Sequence, residues 1–310
     1  MAEAWIELEN VSVRRSGRPV LVDISAAMRG KAVGLVGANG SGKSTLIGTL
    51  LGVLRAESGV VRVLGYRLPE MAMEVRARAG VMAEQAGIFP GGSGVDAVAF
   101  AGMLSGLGRS DALRRAHRAL DALAVGEERY RSTSGFSTGM KQRCKLAMSL
   151  VQDPEILILD EPTIGLDPPG RVQLLGLIRD LRDQGRRILM STHIMADAEV
   201  VCDEMLLLSE GTVAYHGTKQ QLTGSTGGPI SAEGYGIDAT FAALLTSYGV
   251  VVTKVRPNGV MFVANDDSHW RAFWRVVAER HAEVRSLGPE LASLEDAVVH
   301  MMEGTEHHGT

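Results

Sequence analysis

Cysteine is almost missing from this chain: two residues, Cys144 and Cys202, in 310. They lie in apolar surroundings and far apart in sequence, so a disulfide framework is excluded. Each reads as a buried free thiol in a reducing compartment. The chain is equally short of uninterrupted apolar sequence. The longest runs, such as Ile156–Leu159 and Met205–Leu208, suit buried strands, and nothing approaches the roughly 18 residues of a membrane span. The opening residues Met1–Glu7 lack a basic region followed by an apolar run, so no signal peptide is expected. Excess positive charge is absent too. A net charge of −4 is a poor footprint for a dedicated nucleic-acid binder, and no nucleic-acid partner is expected. His307-His308 is too little to read as a metal site.

What the chain does have is 45 % hydrophobic and 22 % charged residues, enough for a sizeable core, over a length that fits one large domain or two ordinary ones. Residues 5–11 alternate as a half-buried strand. Ala32–Val36 is an apolar strand running into a glycine-rich turn, and Ser44–Leu54 follows with helical spacing. Val60–Leu64 and Gly80–Met82 read as strands. Val95–Val125 reads as an inserted helical lobe, reaching residue 152 with a further helix over Met140–Gln152. Strand Ile156–Leu159, helix Pro169–Gln184, strand Arg187–Ser191, helix Ile194–Val201 and the pair Glu204–Ser209 and Thr212–His216 complete an α/β pattern with a mainly parallel sheet.

The turn-rich stretch Thr223–Pro229 marks a boundary, giving expected domains of 1–224 and 225–310. The second reads as a small α/β domain: helix Asp238–Tyr248, strands Val250–Val255 and Val260–Ala264, helices Ser268–Arg280 and Ser293–Met302, and a loose tail from Glu303. There is no internal repeat. The arginine-rich run Arg109–Arg118 reads as a solvated helix face.

The chemistry concentrates in two segments. Gly37-Ala-Asn-Gly-Ser-Gly-Lys43-Ser44-Thr45 fits the phosphate-loop pattern and sits between a strand and a helix. Gly37, Asn39, Gly40, Ser41 and Gly42 let successive backbone amides face a polyphosphate, and the helix N-terminus adds a favourable dipole. Lys43 reaches the β- and γ-phosphates; Ser44, with Thr45 beside it, offers an oxygen to Mg²⁺. The strand ending in Asp160-Glu161 puts one carboxylate where it can hold Mg²⁺ through water and another where it can polarise an attacking water.

With Phe136-Ser-Thr-Gly-Met-Lys-Gln-Arg143, Asp160-Glu-Pro-Thr-Ile-Gly-Leu-Asp-Pro168 and Ser191-Thr-His193 in order, the chain resembles the ATP-binding subunits of ABC transporters over about residues 5–220. The resemblance implies a P-loop ABC ATPase fold with ATP and Mg²⁺ as cofactors. It implies that Ser137 and Gly139 meet the γ-phosphate held by a second copy in a head-to-tail dimer, that His193 senses that phosphate, and that Asp167 crosses the interface. Glu84 aligns with the family's usual glutamine, Gln85 being a one-residue alternative; either is expected to contact Mg²⁺ or the attacking water. The adenine-stacking aromatic is replaced near Arg15, whose plane can stack on a base or remain solvated. The apolar segment Gly87–Met103 reads as lobe core and, by resemblance, as the surface that grips a membrane subunit. The signature, the Asp160–Pro168 run and Ser293-Leu-Glu-Asp-Ala297 resemble the drug- and antibiotic-export branch. The implied function is the ATPase of an exporter, bound through an integral-membrane permease to the cytoplasmic side of the membrane. The alternatives are a soluble ABC-type ATPase acting on ribosomes or DNA, and a small-molecule phosphotransferase, which leaves Ser137–Arg143 and His193 unexplained.

Overall fold

The computed structural model describes residues 3–85, 87–88, 92–218, 221, 230–264 and 266–289. The expected linker at 223–229, the helix at 293–302 and the tail from 303 lie outside the described residues. The chain forms two compact units, Met1–Thr218 and Lys219–Thr310, dividing ahead of the expected boundary after residue 224.

The first unit holds two sheets. Strands β1 (Ile6–Arg15), β2 (Arg18–Met28), β4 (Ser58–Val63) and β5 (Tyr66–Leu68) make an antiparallel sheet in the order β2-β1-β4-β5. Strands β3 (Ala32–Val36), β6 (Ala79–Met82), β7 (Ile156–Asp160), β8 (Arg187–Thr192), β9 (Glu204–Ser209) and β10 (Thr212–Thr218) make the second, ordered β10-β9-β3-β8-β7-β6. Its pairs are parallel except for the hairpin β9–β10. Every residue of β3 and β7 is buried, which is why these strands read as continuous apolar runs and not as alternating ones.

Helix α1 (Lys43–Leu50) follows β3 directly. It fills less of the expected 44–54 span because the chain turns at Gly52, whose φ of +63° suits glycine. Leu46 and Leu50 are fully buried against both sheets, each contributing about 1.5–3 kcal/mol. Helix α2 (Ala72–Arg78) leads into β6. The expected helical stretch 95–125 is two helices, α3 (Gly94–Leu104) and α4 (Arg109–Ala122), separated at Gly106 with φ +91°. Ser93 and Asp96 close a capping box on α3. Helix α4 buries its alanine stripe, Ala112, Ala116 and Ala119 with Leu120, and leaves Arg109, Arg114 and Arg118 exposed. Helices α5 (Thr138–Leu150), α6 (Pro168–Asp183) and α7 (Met195–Val201) complete the unit.

The second unit runs β11 (Ile230–Tyr235), α8 (Ala239–Ser247), β12 (Val251–Arg256), β13 (Gly259–Val263), α9 (Asp267–Arg280) and β14 (Glu283–Pro289). Its antiparallel sheet has the order β12-β13-β11-β14, the split βαββαβ arrangement of ferredoxin-like units. The core is aromatic: Phe262 stacks on Phe273 at 4.9 Å, and Phe241 meets Phe273 edge-on at 5.8 Å.

Candidate active site

Three elements of the first unit converge on one cleft of about 400 Å³: the β3–α1 loop, the C-terminal ends of β7 and β8, and the segment after β6. Ligand sites at the carboxyl ends of parallel strands are the rule in α/β sheets. The loop holds its shape because two positions admit only glycine. A Cβ on Gly37 would lie 2.4 Å from the Leu208 carbonyl, and Gly42 has φ +106°. Lys43, 7 % exposed, donates to the carbonyls of Gly37 (2.7 Å) and Ala38 (3.2 Å), so its ammonium is held over the loop. No side chain caps the start of α1, which leaves its first amides available to an anion.

Asn39, Gly40, Gly42, Lys43, Ser44 and Thr45 line the cleft; Gly37 and Ser41 do not. Ser41 is turned inward, buried, with a hydroxyl that has no partner. On the facing side are Asp160, Glu161 and His193. Glu161 has φ +49°, a left-handed backbone uncommon outside glycine, stored at the turn that ends β7. Its amide donates to the Ser191 hydroxyl at 3.1 Å and the Ser191 carbonyl at 3.2 Å, and the same hydroxyl donates to Asp160 Oδ1. Ser191 therefore fixes the Asp160 carboxylate and the Glu161 backbone from the neighbouring strand. Glu161 Oε2 lies 2.9 Å from His193 Nδ1. Its Oε1 has no hydrogen-bond partner, the Lys43 ammonium standing off at 3.6 Å.

The donor set fits a hard divalent cation. Ser44 Oγ lies 3.4 Å from Asp160 Oδ2, and serine hydroxyl with carboxylate oxygen is the chemistry Mg²⁺ takes. Glu84, half-buried, also lines the cleft, whereas the alternative Gln85 is exposed and does not. Arg15 and Val20 form the rim, Arg15 exposed at the end of β1.

The structure separates the remaining expected residues from this cleft. Ser137, Gly139 and Asp167 line a different cavity of about 540 Å³, together with Arg143, Gly165 and Leu166. Ser137 caps α5 by accepting from the Met140 amide at 3.3 Å, and Asp167 caps α6 by accepting from Gly170 at 3.2 Å. Gln142 ties the two capped ends by donating to the Ile164 carbonyl at 3.0 Å.

Several supporting residues escaped the sequence reading. Ser191 is one. Asp197 is another: 1 % exposed, it accepts from Thr163 and from Arg171, joining α7, just past His193, to the turn after Glu161 and to α6. Lys145 on α5 donates to the Glu84 carbonyl at 3.1 Å; burial pulls its ammonium below the usual lysine range and the Glu84 charge partly restores it. A buried aspartate inside Met195–Val201 was a legible anomaly; the other two had no local signal. Among the described residues, no group of three or more His, Cys, Asp or Glu forms a ready metal cluster.

Of the apolar 87–103 segment, residues 89–91 lie outside the described residues. Val95, Ala97, Val98 and Ala99 are lobe core, while Met103 (39 %) and Leu104 (75 %) are exposed.

Residues 23–164 match the family described as ABC transporter. The linearmycin resistance ATP-binding protein of Bacillus subtilis is 30 % identical over 224 residues, covering 72 % of each chain. The Nod factor export ATP-binding protein I of Ralstonia nicotianae is 30 % identical over 273 residues, 87 % of this chain and 84 % of that one. Among solved structures, an ATP-binding subunit of an ABC transporter is 29 % identical, with a TM-score of 0.63 over 72 % of this chain and 93 % of the other.

Proposed function

The chain belongs to the ABC transporter family as an ATP-binding, ATP-hydrolysing subunit, and we propose that it powers a membrane permease that exports drug-like or antibiotic-like compounds. The observation that carries the catalytic reading is the cleft itself. It brings the phosphate loop together with the Asp160–Glu161 pair and His193, which lie more than 100 residues further along the chain.

In this reading the triphosphate lies along the loop amides and the start of α1, with Lys43 leaving the loop carbonyls for the phosphates. Arg15 and Val20 are the surfaces available to the base. Ser44 and Asp160, with Glu84, would hold Mg²⁺, which when bound neutralises charge developing on the phosphates. Glu161 accepts the proton of a water whose oxygen bonds to the γ-phosphorus as the bridging oxygen leaves with ADP. Its Oε1 accepts no hydrogen bond and is held only by the Lys43 ammonium at 3.6 Å, which supports that role: once Lys43 moves to the phosphates, the oxygen is left for a water. His193 orients Glu161 and is within the same cleft to meet the γ-phosphate.

Ser137 and Gly139 face their own cavity, which shares no residue with the cleft. That supports a head-to-tail pair of copies in which each cleft is completed by the other's Ser137 and Gly139. Among the described residues no helix is long and apolar enough to cross a membrane, in keeping with attachment through a separate permease on the cytoplasmic side. The exposed Met103 and Leu104 on α3 suit that contact. Export of antibiotic-like compounds is supported by relatives whose names describe linearmycin resistance and Nod factor export. No observation favours an ATPase acting on ribosomes or DNA.

Inside-out membrane vesicles carrying the chain and its permease test this reading. They should accumulate a drug-like dye only with Mg-ATP, and vesicles with Glu161→Gln should not. Dye uptake that is unchanged by Glu161→Gln contradicts the proposal.

A further inference from the structure

The nucleotide cleft is unevenly charged. Three carboxylates, on Glu84, Asp160 and Glu161, line it against the cations Lys43 and Arg15. Asp160 and Glu161 are held by Ser191, His193 and the turn after β7. Glu84 has a different support. It comes from the segment after β6, and its backbone carbonyl accepts from the ammonium of Lys145 at 3.1 Å. Lys145 is half-buried on α5 and does not line the cleft. The ammonium so held brings a positive charge to the residue whose carboxylate lines the cleft. Near a protein surface, opposite charges attract more strongly than they do in bulk water.

We propose that Lys145 is a positioning residue for nucleotide binding, fixing the Glu84 segment through its carbonyl and offsetting the Glu84 charge that incoming phosphates would otherwise meet. The inference rests on reading the cleft as the ATP site and assigns Lys145 no contact with the nucleotide. Ser137 caps the same helix eight residues earlier, about 12 Å along its axis. Helix α5 thus presents Ser137 at one cavity while its Lys145 bonds the Glu84 segment that lines the other.

The test is a double-mutant cycle on the full chain, read as equilibrium affinity for a fluorescent ATP analogue with Mg²⁺ and with EDTA. Lys145→Gln keeps an N–H donor, one bond shorter than lysine's, and removes the charge. It should weaken binding roughly fivefold, and more in EDTA than in Mg²⁺, because the cation also offsets Glu84. Lys145→Met should lose at least as much, and Lys145→Arg should stay within about twofold of the native chain. With Glu84→Gln already in place, Lys145→Gln should cost nothing further. Thermal melts check folding; if Lys145→Met does not fold, the Lys145→Gln comparison decides. An equal loss with and without Glu84→Gln, or no loss from Lys145→Gln, overturns the proposal. If the native chain itself binds no analogue, the reading of the cleft fails; if it binds and the pair is uncoupled, only the role of Lys145 falls.

Discussion

His193 Nδ1 lies 2.9 Å from Glu161 Oε2, while the other oxygen of that carboxylate has no hydrogen-bond partner. The imidazole thus fixes one oxygen of a buried acid that lines the cleft. Lys43 stands 3.6 Å from the free oxygen, and both groups are 7 % exposed. A carboxylate, an imidazole and an ammonium are arranged so that a phosphate and a water can replace the contacts that Lys43 makes with the loop and with Glu161.

Lys43→Ala should leave a folded chain that binds ATP at least tenfold more weakly. Hydrogen bonds to charged groups contribute about 1.5–3 kcal/mol each, and Lys43 is the cleft's buried cation. Titration with a fluorescent nucleotide, alongside circular dichroism to confirm folding, measures it. Native affinity in this variant would remove the phosphate loop from the account.

A chain ending at Thr218 should still bind ATP, because every residue lining the cleft belongs to the first unit. The measurement is nucleotide affinity of the purified truncation. A folded truncation without binding would mean that the second unit helps to build the site.

Burial pushes the Cys144 thiol up to about 12. The thiolate is the reactive form, so at pH 8 only about one thiol in ten thousand is ionised. Cys144 should resist iodoacetamide in the native chain and be labelled promptly in denaturant, as peptide mapping would reveal. Fast native labelling would place this helix face in solvent.

Glu204 supplies a pH dependence. Burial would raise its carboxyl, but hydrogen bonds from His216 and from the Gly30 and Arg29 amides outweigh that and hold it below its usual value of 4.5. A depressed carboxyl stabilises the fold fully above its unfolded value and loses that stabilisation as pH falls through the folded one. Glu204→Gln should therefore be less stable by about 1–3 kcal/mol near neutrality. Denaturant melts should show that difference shrinking below about pH 4.5. A gap that widens on acidification would reverse the assignment.

The phosphate loop, Asp160, Glu161 and His193 were legible because their chemistry dictates local sequence: glycines where amides face phosphate, acids at the end of an apolar strand. Glu84 was legible by alignment, and its place in the cleft separates it from Gln85. Ser191 and Lys145 act through contacts 30 and 61 residues away, and no local pattern announces those roles, whereas Asp197 stood out as an acid inside an apolar helix. Strand β2 was missed because bulges break its alternation against β1 and Asp23 takes φ +53°. Strands β11 and β14 have few large apolar residues; Gly234 lets them approach so closely that a Cβ there would lie 1.8 Å from the Glu283 carbonyl. The break in the expected 95–125 helical stretch was hidden because Gly106 sits between two helical stretches of similar composition.

The claim that each cleft is completed by a second copy is tested most directly by mixing two inactive chains. Lys43→Ala disables a copy's own cleft, and Ser137→Arg disables what it lends to its neighbour. Each variant alone should hydrolyse no ATP with the permease present. Mixed in equal amounts, half of the pairs contain one of each, and each such pair keeps one whole site, so turnover should recover to about a quarter of the native rate. A mixture as inactive as its components would contradict the shared site, as would Ser137→Arg alone turning over ATP at the native rate.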